Sequence, residues 1–186
     1  MVLDPTKIRL TLLVLPAVLL LYGCESNFKD VQKFNVTEFT PVGEAENFTM
    51  KYTDSGKIKA ILVSKQMLDF SNIAYPFTEF PKGVDVTIFD NNAKKSYVVS
   101  DYAISYSQSD IIDLRGHVKV TSQDGKVLET SQLYFDQKRE WFFTEQKCRF
   151  TSGPENVFYS NGFDANKDLS YFNAQDFTGV GQASDF

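Results

Sequence analysis

Between residues 57 and 150, apolar side chains recur at every second position over short runs. Ile58, Ala60, Leu62 and Ser64 share one parity, and so do Val84, Val86 and Ile88. Ile112, Leu114, Gly116, Val118 and Val120 make the clearest set, with Phe142, Thr144, Gln146, Cys148 and Phe150 as another. The alternate positions Asp113, Arg115, His117, Lys119 and Thr121 are polar. A period of two, with one apolar and one wet face, predicts antiparallel strands folded over a core. No long segment sustains a 3.6-residue apolar period, so the expected fold class is all-β.

Turn chemistry divides these runs. Asp54-Ser55-Gly56, Asp90-Asn91-Asn92, the polar run from Ser107 to Asp110, Asp124-Gly125, Gln137-Lys138-Arg139, Gly153-Pro154-Glu155-Asn156 and Asn166-Lys167-Asp168 follow one another. Asp-Gly is the strongest hairpin signal among them. From residue 107 on, the turns recur about every 15 residues, which gives about two strands per 30-residue unit. Segments starting at Tyr97, Val127 and Val157 align without a gap. Val98, Leu128 and Phe158 then share a column, as do Ser100, Thr130 and Ser160, and Ala103, Leu133 and Phe163. Ile112, Phe142 and Phe172 make a further column, and Val120, Phe150 and Val180 another. Gly83 to Thr87 resembles Gly116 to Val120, which suggests a divergent earlier unit. A stacked repeat explains the columns. An up-and-down sheet of even strand lengths is the alternative.

Two runs break the alternation. Leu128 and Thr130 have one parity, Leu133 and Phe135 the other, and Val98 and Ser100 stand in the same relation to Ala103 and Ser105. A one-residue bulge restores a continuous apolar face in both. Plain alternation would instead put Tyr102 and Ile104 inside. Ser64, Ser100, Thr130, Thr144 and Gln146 fall on the inward face. A dry core rarely collects so many polar groups, so an open apolar groove with polar rims is expected.

The first 23 residues have a different character. Lys7 and Arg9 precede an apolar run from Leu10 to Leu21, broken by Thr11. The run is shorter than the ~20 residues a membrane-spanning helix needs. It ends in Leu21-Tyr22-Gly23-Cys24, which resembles a bacterial lipobox. Residues 1–23 are then a signal peptide and Cys24 is the lipid-attachment site. An uncleaved short anchor, or a signal peptide with a chance cysteine, is the alternative. Residues 24–46 are polar, with one proline, and are expected to form a tether, whose roughly 20 residues reach at most ~65 Å. The folded domain is expected over residues 47–186.

Composition narrows the classes of function. Without Asp4, Lys7 and Arg9 the chain carries 17 basic and 23 acidic residues. That balance argues against nucleic acid, which calls for a basic stripe. It also leaves membrane attachment to acyl chains rather than to anionic headgroups. Cys24 and Cys148 are the two cysteines. If the first is acylated, the second has no disulfide partner and is read as a small buried hydrophobe. The one histidine, His117, falls on the wet face. No phosphate-binding glycine loop or nucleophile elbow occurs, and a single histidine with one thiol makes a poor metal set. The sequons at Asn35 and Asn47 carry little weight in a bacterial lipoprotein. Trp141 is placed at a strand start as a core or rim aromatic. No catalytic residues, metal or cofactor are assigned.

Several segments, in order and spacing, resemble the LptC family, the periplasmic component of the lipopolysaccharide export machine. They are Asp54-Ser55-Gly56-Lys57, Glu79-Phe80-Pro81-Lys82-Gly83-Val84, Ser100-Asp101-Tyr102-Ala103, Asp113-Leu114-Arg115-Gly116-His117-Val118, Leu128 to Asp136, and Asn161 to Asn166. The resemblance runs from about Asn47 to Gly179. It implies a twisted OstA-like β-jellyroll whose interior receives the acyl chains of lipopolysaccharide. It also implies partners: an inner-membrane ABC transporter of the LptB/LptF/LptG type and an LptA-type bridge protein. Better-known members use an uncleaved transmembrane helix, whereas this chain is read as lipid-anchored on the periplasmic side of the inner membrane.

On this reading the groove is lined by Ile58, Leu62, Val84, Val86, Ile88, Val98, Ala103, Ile112, Leu114, Val118, Val120, Leu133, Phe135, Phe142 and Phe150. Partner contacts are expected at the sheet ends, near Ile58–Val63 and Tyr171–Phe177, with a short last strand. A lipid-anchored structural or adhesion β-sandwich is the competing reading, and it requires a closed, dry core.

Overall fold

The computed structural model describes residues 40–90, 92–153 and 156–180. The expected signal peptide, Cys24 and most of the expected tether lie outside these residues. Twelve strands form one antiparallel sheet: β1 (Gly43–Asp54), β2 (Lys57–Phe70), β3 (Phe77–Phe80), β4 (Val84–Phe89), β5 (Lys95–Ser100), β6 (Tyr102–Tyr106), β7 (Ile111–Thr121), β8 (Val127–Asp136), β9 (Trp141–Thr151), β10 (Val157–Asn166), β11 (Phe172–Ala174) and β12 (Thr178–Val180). There is no helix among the described residues. The fold is an antiparallel β-jellyroll, as expected. β1 begins four residues ahead of the expected domain boundary, so residues 43–46 belong to the sheet.

The pairing shows how twelve strands reduce to a simple path. β3 and β4 both pair with β2 on one side, and with β6 and β5 on the other. They are two halves of one long strand, interrupted at Pro81-Lys82-Gly83. β5 and β6 likewise both pair with β7, and β11 and β12 both pair with β10. Neighbours in sequence are therefore neighbours in the sheet from end to end. Such a meander needs only short turns. The Asp124-Gly125 turn has Gly125 at φ +84°, with its N–H donating to Ser122 O at 3.0 Å.

Each long strand changes direction near its middle. The pairing slips between Arg115 and Val118, between Thr130 and Tyr134, and between Asn161 and Phe163. The expected bulge after Thr130 is therefore present. In the preceding unit the same place is a full break at Asp101, between β5 and β6. The breaks fall side by side and make a fold line across the sheet. Two glycines on it are required by space as well as by backbone. Gly83 has φ +78°, and a Cβ there would sit 2.3 Å from Ser100 O. Gly116 has φ +70°, and its Cβ would sit 2.8 Å from an Asp101 carboxylate oxygen.

The fold line divides the sheet into two leaves whose inner faces meet. Phe150 from one leaf packs at a tilt against Phe163 and Phe172 of the other, with ring centroids 5.5 and 4.7 Å apart. The repeat columns describe this interior well. Val98, Leu128, Phe158, Ser100, Thr130, Ser160, Ala103, Leu133 and Phe163 are all buried. Val180 departs from its column and lies exposed in the short last strand. In the first unit the buried residue follows Gly83 immediately, at Val84. In the later one it follows Gly116 by two, at Val118. The similarity between those two segments thus slips by one residue.

Candidate functional site

The inner face is built from rows of cross-strand neighbours. One row runs Met50, Leu62, Val86, Val98, Val120, Leu128, Phe150, Phe158 and Gly179. On the other leaf a row runs Ser105, Ile112, Phe135, Phe142, Ala165 and Phe172. Because directly paired residues point the same way, each row is a continuous apolar strip across many strands. The alternation read from the sequence places its groove set on this face.

Burial along the strips is uneven. Leu62, Val84, Val98, Ala103, Leu114, Val118, Val120, Leu133, Phe142 and Phe150 are buried, and Val86, Ile88, Ile112 and Phe135 are partly buried against them. Ile58, by contrast, is 41% exposed. On β1, Met50 and Tyr52, which pair with Leu62 and Ala60 of β2, are 44% and 59% exposed. The interior is thus packed through the middle strands as far as β10. It opens toward the β1–β2 edge, where Phe48 still reaches Phe80 at a centroid distance of 6.2 Å.

Several members of this interior were not anticipated as lining residues. Leu128, Phe158 and Phe163 stood in the repeat columns, which was the available signal. Phe80, Ala165, Cys148 and Phe48 pack into or against the same cluster. Leu169 is fully buried there, although it sits in a polar turn with no periodicity to reveal it.

The inward polar residues do not form the expected rim. Ser64 Oγ donates to Gly83 O at 2.6 Å and lies 2.9 Å from Gln66 O. Ser100 Oγ donates to Tyr102 O at 3.0 Å, Thr130 Oγ1 to Lys147 O at 3.0 Å, and Thr144 Oγ1 to Gln132 O at 2.7 Å. These hydroxyls sit at or beside the fold line, where the ladder slips and carbonyls lack their usual partners. They satisfy the bend from inside, as buried polar groups must. Gln146 does not join them, because the strand turns at this point and leaves its side chain exposed.

The outer face also differs from simple alternation at one place. Asp113 was expected to be wet but is only 2% exposed. Arg115 Nε and Nη2 donate to it at 2.9 and 2.5 Å, and Gln132 Nε2 donates at 2.8 Å. The Arg115 guanidinium lies 5.9 Å from the Tyr102 ring centroid, and Tyr102 donates to Glu79 at 2.6 Å. Burial, then the bond to Glu79, pushes the Tyr102 phenol up. Long outer side chains thus cover a carboxylate that the strand parity leaves outside. His117 is exposed, as expected, with Nδ1 2.6 Å from Asp101 Oδ2. That hydrogen bond, reinforced by the carboxylate charge, raises the imidazole pKa.

Among the described residues no group of three or more His, Cys, Asp or Glu side chains comes together to hold a metal ion. A concavity of about 790 Å³ at the fold line has Lys119, Glu129, Lys147 and Arg149 around it, but its lining is mostly apolar and includes Val99, Val118, Cys148 and Tyr159. At the two edges of the sheet, β1 pairs only with β2, and β11 and β12 only with β10, among the described residues. The N-terminal edge is therefore β1, not the expected Ile58–Val63, which lies in β2 with neighbours on both sides. No helix of the described residues is long and apolar enough to cross a membrane. No curated protein matches the chain. The family model described as lipopolysaccharide-assembly, LptC-related matches residues 10–173, most of the chain, and this protein belongs to the LptC family.

Proposed function

We propose that this domain takes lipopolysaccharide acyl chains from an inner-membrane ABC transporter of the LptB/LptF/LptG type and hands them to an LptA-type bridge protein. Family membership gives the chain a part in lipopolysaccharide transport. The finer reading is carried by one observation: the apolar inner face is continuous across the sheet and opens at the β1–β2 edge, at Met50, Tyr52 and Ile58. Each CH₂ left in water costs about 0.8 kcal/mol, so a twelve-carbon chain costs about 10 kcal/mol. An apolar strip that takes up the chain removes much of that cost without any covalent step.

The edges supply the connection. β1 is a twelve-residue strand that pairs only with β2 among the described residues, which suits addition of a strand from a similar fold. Cargo then enters at the β1 edge and leaves near β11 and β12. Acylation of Cys24 holds the domain at the periplasmic face of the inner membrane, where cargo is extracted. The test is affinity purification of the full chain in mild detergent, with identification of bound lipid and proteins. Lipopolysaccharide and transporter subunits are expected. Met50→Lys with Tyr52→Lys should remove the transporter and leave the fold intact. Unchanged co-purification by that variant would overturn strand addition at β1.

The tight packing around Val120, Leu128 and Leu133 is what a structural β-sandwich would also have. That reading predicts no bound lipid in the same purification.

A further inference from the structure

The loop at 167–171, between β10 and β11, lies at the free end of one leaf, away from the fold line. It is well fixed at its base. Lys167 N donates to Glu140 O at 3.0 Å, and Lys167 Nζ lies 2.6 Å from Glu140 Oε1. Asn166 closes the loop, its N–H donating to Tyr171 O at 3.1 Å and its side chain to Ser170 Oγ at 2.8 Å. The loop then reaches the turn at the free end of the facing leaf, where Lys126 Nζ donates to Leu169 O at 3.3 Å. Between these two supports Leu169 turns inward and is fully buried in the apolar cluster.

Three features set Leu169 apart. Its neighbours Lys167, Asp168 and Ser170 are polar, so nothing else in the loop favours the interior. Its φ is +57°, a left-handed conformation that branched apolar residues rarely adopt, and among the described residues it is the only such residue to do so. Strain of this kind persists only where surrounding contacts enforce it, and it collects at ligand clamps and switches. The loop also lies outside the sheet ladder. It can leave without breaking the strand pairing that holds the leaves.

We propose that 167–171 is a hinged plug, and that Leu169 occupies the position of an acyl-chain segment until cargo arrives. Entry of a chain replaces Leu169 with hydrocarbon, releases the left-handed backbone and breaks the Lys126 latch. Asn166 and Lys167 stay fixed and act as the hinge. The interior then keeps its apolar content in both states, which makes the exchange easy to reverse when cargo moves on. This inference rests on the acyl-chain reading above.

The test uses the full chain in mild detergent with purified lipopolysaccharide. A photo-crosslinker at Phe135 reports cargo in the interior. In a Cys148→Ala background, Leu169→Cys reports exposure of the plug, by thiol labelling of the peptide that carries it. Lipopolysaccharide is expected to raise labelling at 169 by about tenfold or more, a shift in population from closed to open. Capture at Phe135 with unchanged labelling at 169 would overturn the plug and leave the transport reading standing. Absence of capture at Phe135 in the parent would overturn both. Independently, Lys126→Met keeps the stem but removes the latch. It should speed capture at Phe135 by about three- to tenfold, the range of one lost hydrogen bond. An unchanged capture rate would refute the latch.

Discussion

Thr130 offers the sharpest test of how the sheet is bent. Its hydroxyl donates to Lys147 O at 3.0 Å and lies 3.3 Å from Gln132 O, at the slip between β8 and β9. Thr130→Val preserves the shape and removes that hydroxyl. Gln132 O keeps a second donor, Thr144 Oγ1 at 2.7 Å, so the loss falls mainly on Lys147 O. Leaving one buried acceptor short costs about 1–2 kcal/mol. For a domain of this size that lowers the melting temperature by about 3–6 °C. Urea unfolding followed by the single tryptophan, Trp141, should show a lower midpoint with an unchanged slope. Thr130→Ser should restore the midpoint. Ser160 provides the internal control: among the described residues its hydroxyl donates to the Cys148 sulfur, at 3.5 Å, and Ser160→Ala should cost about 0.5 kcal/mol or less. A neutral or stabilising Thr130→Val would refute the claim that these hydroxyls satisfy the bend.

Two other outcomes follow from the same geometry. Phe142 is almost fully buried at the centre of its row, and Phe142→Ala should destabilise the domain by about 3–5 kcal/mol in the same unfolding assay. Because Asp101 raises the pKa of His117, the protonated pair contributes stability below the unfolded pKa, near ~6.5, and that contribution is lost as pH rises through the higher folded value. Asp101→Asn should lower the NMR titration midpoint of the single histidine, and an unmoved midpoint would contradict the pairing.

The legible part of this structure is the part governed by side-chain parity. Alternation marked the inner face of β7 and β9, and the parity change between Thr130 and Leu133 marked a bend. β1 was not legible, because most of its side chains remain exposed and it is held by backbone pairing to β2. Asp113 escaped because burial on the outer face comes from Arg115, Gln132 and their neighbours, which parity does not describe. The inward hydroxyls were read as signs of an open groove. Their partners are carbonyls exposed by the bend, a demand that exists only once the strands are paired. Leu169 lay in a segment with ordinary turn chemistry, and only the three-dimensional closure of the two leaves gives it a place inside.

The central claim is that hydrocarbon travels along the inner face and not the outer one. Photo-crosslinkers at Phe135 and Phe150, on the inner face, and at Lys119, on the outer face, test it in the assembled export complex with lipopolysaccharide and ATP. The inner positions should capture lipopolysaccharide and Lys119 should not. Equal capture at Lys119, or none at Phe135 and Phe150, would contradict the account.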